Sequence, residues 1–282
     1  MREPRQKFEY NSSKIREDGA KAWFASVREV WQSRELLVTL LMREISSRYR
    51  QSILGYMWAL VIPLATVLVF SYLTSKRILP IGDPPLPYPA FAIWNVVVWQ
   101  LFAGTLVSTT QSLVAAGSLV TKMRFPKETL VFASTGQPLI EFAIKLVPVA
   151  IVFSLYDVDF KFAFLLVPFT LIPILCLAIG LGFIFSVANL VIRDTENIVG
   201  LITAFGIFLA PILYPPPMSS PFNLVNTLNP FSPLLIASQD LISHGALHHW
   251  NIYWPALLFA LLTFLGGWHI FRIGLARVIE RA

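Results

Sequence analysis

The chain has 282 residues, of which 56% are hydrophobic and 13% charged. Soluble domains carry roughly 25% charged residues, so this composition, with a mean hydropathy of +0.66, excludes an ordinary soluble enzyme and points to an integral membrane protein. The formal charge of +6 would suggest nucleic acid in a soluble chain, but here the basic residues flank apolar runs, where they set topology and meet anionic lipid, and no nucleic-acid partner is expected.

Residues 1–30 are charged, lack an apolar period and read as a disordered cytoplasmic N-terminus. No early apolar stretch before a small-residue cleavage site suggests a signal peptide. Residues 31–52 read as a cytoplasmic interfacial helix lying on the inner leaflet. Trp31, Leu36, Leu37, Leu40, Leu41 and Ile45 recur at helical spacing, with Arg34, Arg43 and Glu44 largely off the stripe. The helix leads into Arg48-Tyr49-Arg50-Gln51-Ser52-Ile53-Leu54-Gly55, which holds cations at the lipid–water boundary and ends at a Leu-Gly turn.

Residues 53–282 read as a six-span transmembrane domain of an all-α fold. A spanning helix needs about 20 apolar residues, and the candidate runs are 53–75, 91–115, 130–155, 162–190, 198–213 and 253–273. Pro211 and Pro215-Pro216-Pro217 stop the fifth early. Eleven Lys/Arg precede the first run; Lys122, Arg124 and Lys127 lie between the second and third, Arg193 between the fourth and fifth, and Arg272, Arg277 and Arg281 around the end of the sixth. The opposite loops hold only Lys76, Arg77 and Lys161, so the positive-inside rule puts both termini in the cytoplasm. The segment 215–251 has no Lys or Arg and Asp240 as its one acid, yet it is apolar and cut by Pro221, Pro230 and Pro233. It reads as an outer re-entrant helix pair between spans five and six, with a compact folded cap as the alternative.

Little in the chain suggests catalysis. His244, His248 and His249 sit close together, and Asp240 is the one plausible added metal ligand; the expectation is a solvated outer loop and no metal. No Gly-rich phosphate loop followed by Lys is present, so the chain is not itself a P-loop ATPase. Cys176 is the single cysteine and makes no internal disulfide. Glu141 and Lys145, four apart, share a helix face and read as an ion pair that fixes packing rather than as a proton relay. The segment 118–129 reads as a short helix across the cytoplasmic face that offers Met123 and Phe125 to a partner's groove. Asp194 reads as a cap for the helix that follows it.

Four ordered blocks carry a resemblance. They are Arg48-Tyr49-Arg50-Gln51-Ser52-Ile53-Leu54-Gly55 with Trp58-Ala59-Leu60 and Pro63; Val120-Thr121-Lys122-Met123-Arg124-Phe125-Pro126-Lys127-Glu128; Arg193-Asp194 with Ala210-Pro211-Ile212-Leu213-Tyr214-Pro215; and Leu228-Asn229-Pro230-Phe231-Ser232-Pro233. In this order the chain resembles the membrane-spanning permease subunit of ABC-type polysaccharide exporters, the O-antigen and teichoic-acid export permeases. The resemblance implies a half-transporter in the bacterial inner membrane. Two copies would form the pore, and two copies of a separate cytoplasmic ABC ATPase would dock below. No cofactor is expected in this chain, since ATP and Mg would be held by the partner subunit. The substrate implied is a polysaccharide on an undecaprenyl diphosphate carrier. Coupling to the ATPase would fall to Lys122, Met123, Arg124, Phe125, Pro126, Lys127 and Glu128, with Arg193 and Asp194.

Physical chemistry adds to that expectation. Arg48 and Arg50, with Tyr49 and Gly55 in the same block, stand where a carrier diphosphate would arrive, and arginine pairs with phosphate bidentately. Sugar C–H faces stack on aromatic rings, and the first two spans supply Tyr56, Trp58, Phe70, Tyr72, Phe91, Trp94, Trp99 and Phe102 as pore candidates, some of them interface-belt residues instead. Two alternatives remain: an ABC permease for a drug or small lipid, which needs neither the cations nor the aromatics, and a membrane enzyme acting on lipid-linked sugars, which should show acidic or His clusters at a membrane face.

Overall fold

The computed structural model describes residues 27–49, 55–78, 82–117, 119–123, 125–215, 226 and 228–281; the side chains at 46–49, 56, 121, 122 and 279–281 lie outside the described set. Helix α1 is Arg34–Tyr49, with residues 27–32 helical ahead of it. Gly55 (φ +49°) opens a 3-10 turn over Gly55–Met57, in a left-handed conformation that favours glycine. The remaining helices are α2 (Trp58–Ser75), α3 (Tyr88–Ala116), α4 (Leu119–Lys122), α5 (Glu128–Ser134), α6 (Gly136–Leu155), α7 (Val167–Val191), α8 (Asp194–Leu209), α9 (Phe231–Ser243) and α10 (Trp250–Arg281).

Local chemistry sets several boundaries. Helix α3 opens after Pro87 with a proline in its first turn, where a missing N–H leaves nothing unsatisfied. It closes at Gly117 (φ +51°), whose N–H donates to the Val114 carbonyl at 3.1 Å. Pro63, Pro148, Pro173 and Pro255 lie inside helices, as membrane helices tolerate when neighbouring groups satisfy the freed carbonyls.

Five stretches are long and apolar enough to cross a bilayer: Trp58–Ser75, Tyr88–Ala116, Glu128–Leu155, Phe162–Val191 and Trp250–Val278. The chain is therefore a multi-pass membrane protein. The expected fifth run is helical, but α8 has 16 residues, about 24 Å at 1.5 Å per residue against a hydrocarbon core of about 30 Å. The chain turns over at residues 210–212 before the run is complete. Among the described residues, then, five helical stretches rather than six reach spanning length.

Helix α3 occupies the centre and packs against α2, α5, α6, α7, α8 and α9. Helices α7 and α10 approach through small residues: a Cβ built on Gly267 would stand 2.1 Å from the Gly180 carbonyl oxygen. Close approach of this kind lets helices associate where lipid removes the hydrophobic drive. One apolar cluster runs along the bundle, and a second, built on Leu113, Phe125, Val131, Phe183, Trp268 and Leu275, fills one end. Val30, Leu36 and Leu40 pack on the second cluster, so both ends of the described chain lie there; this end is called proximal. At the opposite, distal end, the Tyr88 hydroxyl donates to the Leu213 carbonyl at 2.9 Å and Lys161 Nζ donates to the Ser243 carbonyl. Helix α8 thus leads from the α7 turn to the distal end despite its length.

Candidate functional site

Helix α1 packs along α5 and α6, with Leu41 filling the space over Gly136, where an added Cβ would stand 2.6 Å from the leucine Cγ. Trp31, Val38 and Met42 remain exposed. The leucine stripe read for an inner-leaflet surface is therefore spent in large part on the protein's own helices. The helix continues through Tyr49, so Arg48 and Tyr49 sit on its last turn; their side chains, that of Tyr56 and all of Arg50 lie outside the described residues. Gly55 makes the expected turn.

The segment expected to dock a partner is built differently from its reading. Met123 is exposed, but Phe125 is only 6% exposed and Pro126, Lys127 and Glu128 are buried. Phe125 is not offered outward: it joins Leu113, Leu130 and Val131 in the proximal cluster, because a phenylalanine beside an unfilled apolar floor gains more from burial than from solvent. Lys127 lies over the Phe125 ring, 4.0 Å from its centroid, and donates to the Met123 carbonyl. Burial pushes the Lys127 ammonium down to about 8, with the Glu128 carboxylate pulling it back up. The Lys122 side chain and Arg124 lie outside the described residues.

Glu128 sits beneath α10. Its Oε1 lies 3.4 Å from Arg272 Nε and 3.5 Å from Trp268 Nε1. On residues 27–32, Glu29 is pushed above the ordinary carboxylate range by burial and by Glu128, with Arg272 opposing. The N-terminal helix, the segment before α5 and the end of α10 thus meet in one electrostatic cluster. Sequence reading assigned Arg272 to topology alone; its partner lies 144 positions earlier, beyond any local pattern.

Arg193 and Asp194 are exposed. Asp194 is the first residue of α8 rather than its cap. The helix start is instead served by Asn189 of α7, whose Oδ1 accepts the Glu196 N–H at 3.3 Å and whose Nδ2 donates to the Thr110 carbonyl and to Glu196 Oε2, each at 3.4 Å. Asp194 and Glu196 still lie at the positive end of the helix dipole.

The aromatic candidates divide. Trp94, Trp99 and Phe102 are buried within this chain, which removes them as open pore lining here. Trp94 Nε1 donates to Ser238 Oγ at 2.9 Å, and Trp99 and Phe102 each stand 5.0 Å from the Phe231 ring. They hold α9 to α3. Phe91 is buried too, and Phe70 packs on the main cluster, while Trp58 and Tyr72 on α2 are exposed.

At the distal end two of the quoted blocks meet. Asn229 Nδ2 donates to the Leu209 carbonyl at 3.3 Å, and its Oδ1 accepts the Phe231 N–H at 3.1 Å, opening α9. Asn95 Nδ2 donates to the Ile212 carbonyl at 3.1 Å, and Gln239 Nε2 donates to Asn95 Oδ1 at 2.9 Å. Of the re-entrant pair expected in 215–251, α9 is a helix buried along its length; residues 216–225 and 227 lie outside the described residues. Asp240 accepts the N–H groups of His248 and His249 at 2.9 and 3.1 Å and lies 3.0 Å from His249 Nδ1. It is a loop clamp, and no group of three or more His, Cys, Asp or Glu among the described residues could hold a metal.

The family model described as ABC-2 type transporter matches residues 35–242. An O-antigen export system permease protein RfbA of Klebsiella pneumoniae is 27% identical over 218 residues, 76% of this chain and 83% of its own length. A second from Klebsiella pneumoniae is 26% identical over 235 residues, 82% of this chain and 89% of its own length. One from Myxococcus xanthus is 28% identical over 222 residues, 76% and 83% of the two chains.

Proposed function

This chain belongs to the ABC-2 type transporter family, and we propose on that premise that it is the permease subunit of an ATP-driven exporter of lipid-linked polysaccharide. The observation that carries the reading is similarity over nearly whole chains to O-antigen export permeases, which align over at least 83% of their own length. Families of this type work with a cytoplasmic ATPase, so hydrolysis of ATP with Mg belongs to a separate subunit, present in two copies below a homodimer of this chain. The exposed apolar faces of α2 and α8, including Ile62, Leu68, Leu201 and Phe205, suit lipid or a second copy. Helix α8, led from the proximal turn to the distal end, would make the sixth pass, placing both termini in the cytoplasm of a bacterial cell with the chain in its inner membrane.

In this reading the carrier diphosphate, on undecaprenol, meets Arg48 and Arg50 at the proximal boundary. The glycan, an O-antigen or a teichoic-acid-type polymer, follows. Partner closure acts through Met123, the exposed residue of the docking segment, and through Arg193 and Asp194. Because Lys127 and Glu128 are buried, with Glu128 against Arg272 and Trp268 of α10, their part is to carry that push into the bundle rather than to touch the ATPase.

The test is charge reversal. Arg48→Glu with Arg50→Glu should abolish surface glycan while the chain still co-purifies with its ATPase. Loss of the complex itself, or undiminished surface glycan, would remove these arginines from substrate contact. A chain that purifies from native membranes with no ATPase partner would defeat the exporter reading altogether.

A further inference from the structure

Near its proximal end α3 changes character. Its distal turns are apolar and enclosed, from Ala90 to Val98 apart from Asn95. Its last turns carry Ser108, Gln111 and Ser112, and these open onto a cleft walled by α1, α4, α5 and the start of α6. The cleft encloses about 80 Å³, well under the ~300–1,000 Å³ of drug-sized ligand sites, so it takes part of a ligand whose remainder stays outside its mouth. Leu40, Leu119 and Leu130 make an apolar floor, while Arg43, Glu44, Ser134 and Gln137 join the α3 residues as its polar wall.

The hydrogen bonds inside the wall define what it can bind. Ser112 Oγ donates to the Thr109 carbonyl at 2.7 Å, and Ser134 Oγ donates to the Val131 carbonyl at 2.8 Å. Gln137 Nε2 donates to Glu141 Oε1 at 2.9 Å. Each of these groups has used a donor and keeps oxygen lone pairs as acceptors. Gln111 and Arg43, both exposed, supply donors. The lining holds one cation and one anion, Arg43 and Glu44, so it has no net charge to neutralise a diphosphate. A diphosphate site calls for an excess of cations. A ring of hydroxyls above a C–H face is different: it donates and accepts in equal measure and lays its apolar side on a leucine floor.

We infer that this cleft is a binding site for a polyhydroxylated group of sugar type, distinct from the diphosphate contact at Arg48 and Arg50. The inference rests on the export reading above. Two sources carry such chemistry: the sugars of a lipid-linked glycan, and the headgroup of an ordinary glycerol-based membrane lipid. We assign the first. The cleft would seat one ring of that glycan beside the membrane while the carrier waits at the boundary.

The experiment places a photo-crosslinking benzoylphenylalanine at Gln111, an exposed cleft position, in intact cells that make the glycan. Leu262, exposed on α10, is the control position. The Gln111 adduct should carry carbohydrate, read by periodate staining and a mass shift, and the Leu262 adduct should carry phospholipid alone. A Gln111 adduct of phospholipid alone, or no adduct, overturns the inference. As a second measurement, Ser108→Leu fills the cleft and should lower surface glycan about ten-fold at unchanged amounts of membrane-inserted protein. Undiminished surface glycan in that variant also overturns it. Deletion of the chain separates the two levels. If deletion leaves surface glycan unchanged, the export reading falls and takes this inference with it. If deletion abolishes surface glycan yet the Gln111 adduct is free of carbohydrate, the cleft assignment falls alone.

Discussion

Two adjacent glycines on α10 should respond to the same substitution with opposite signs. A Cβ at Gly267 would stand 2.1 Å from the Gly180 carbonyl oxygen, 2.8 Å from its carbon and 3.2 Å from its Cα, whereas a Cβ at Gly266 meets nothing within 4 Å. The obstacle at 267 is backbone, which cannot swing aside, so Gly267→Ala must part α7 and α10 by roughly 1 Å to restore van der Waals contact. Overpacking of this kind costs about 1–3 kcal/mol, and with backbone opposing it the upper value applies. Gly266→Ala meets no obstacle and gains helix propensity, up to about 1 kcal/mol. The chain carries its own reporter, since Cys176, the one cysteine, is half-buried on α7 one turn before Gly180. Thermal exposure of Cys176 to a thiol-reactive dye in detergent should show Gly267→Ala lowered by about 6–12 °C and Gly266→Ala level with or above the wild type. Equal midpoints for the two variants would refute the claim that position 267 is set by helix approach.

The proximal and distal clusters give three further expectations. Lysine titrates near 10.5 when unfolded and Lys127 at about 8 when folded, so the unfolded chain binds more protons between those values and stability rises with pH across that window. Lys127→Met should flatten the rise in denaturation midpoints measured from pH 7.5 to 10.5, and an unchanged slope would assign it elsewhere. Glu128→Gln takes one carboxylate from Arg272 and leaves it Glu29 nearby, so it should cost less than the ~3–5 kcal/mol of a fully broken buried pair, while the apolar double replacement Glu128→Leu with Arg272→Met should recover most of it; chemical denaturation that ranks the double below the single counts against a buried pair. Asp240→Ala removes the acceptor shared by the His248 and His249 N–H groups, so hydrogen exchange over residues 244–250 should quicken, and undisturbed exchange would mean the clamp is unimportant.

Periodicity and composition made the apolar helices, the turn at Gly55 and the proline stops legible. They are local properties, written in neighbouring residues. The inward turn of Phe125 was not legible, because a short amphipathic segment does not state whether its apolar side faces a partner or its own core. The answer lay in Leu113 and Val131, which belong to other helices. The same holds for Trp94 and Trp99: an aromatic on a spanning helix looks alike whether it lines a pore or grips a helix such as α9. The role of Asn189 was hidden because a cap normally precedes its helix by one residue, and this one reaches across from the previous helix. The cleft was invisible for a related reason. Its serines and glutamines are unremarkable on α3, α5 or α6 taken singly.

The polar line on α6 has an electrical consequence. Gln137 bonds Glu141, and Glu141 lies 3.5 Å from Lys145, so the acid and base lie within one helix and cancel. Within the described spans Glu128, Arg272 and Arg277 lie toward the proximal end and His269 lies on α10, while Glu141 and Lys145 lie midway along α6. A membrane potential does work of about 2.3 kcal/mol per elementary charge per 100 mV, but only on charge that moves through it. A helix that carries its own counter-ion moves none. The Glu141–Lys145 pair therefore adds no gating charge of its own, and the voltage dependence of a transport cycle would come from charge elsewhere, that of the transported anion above all.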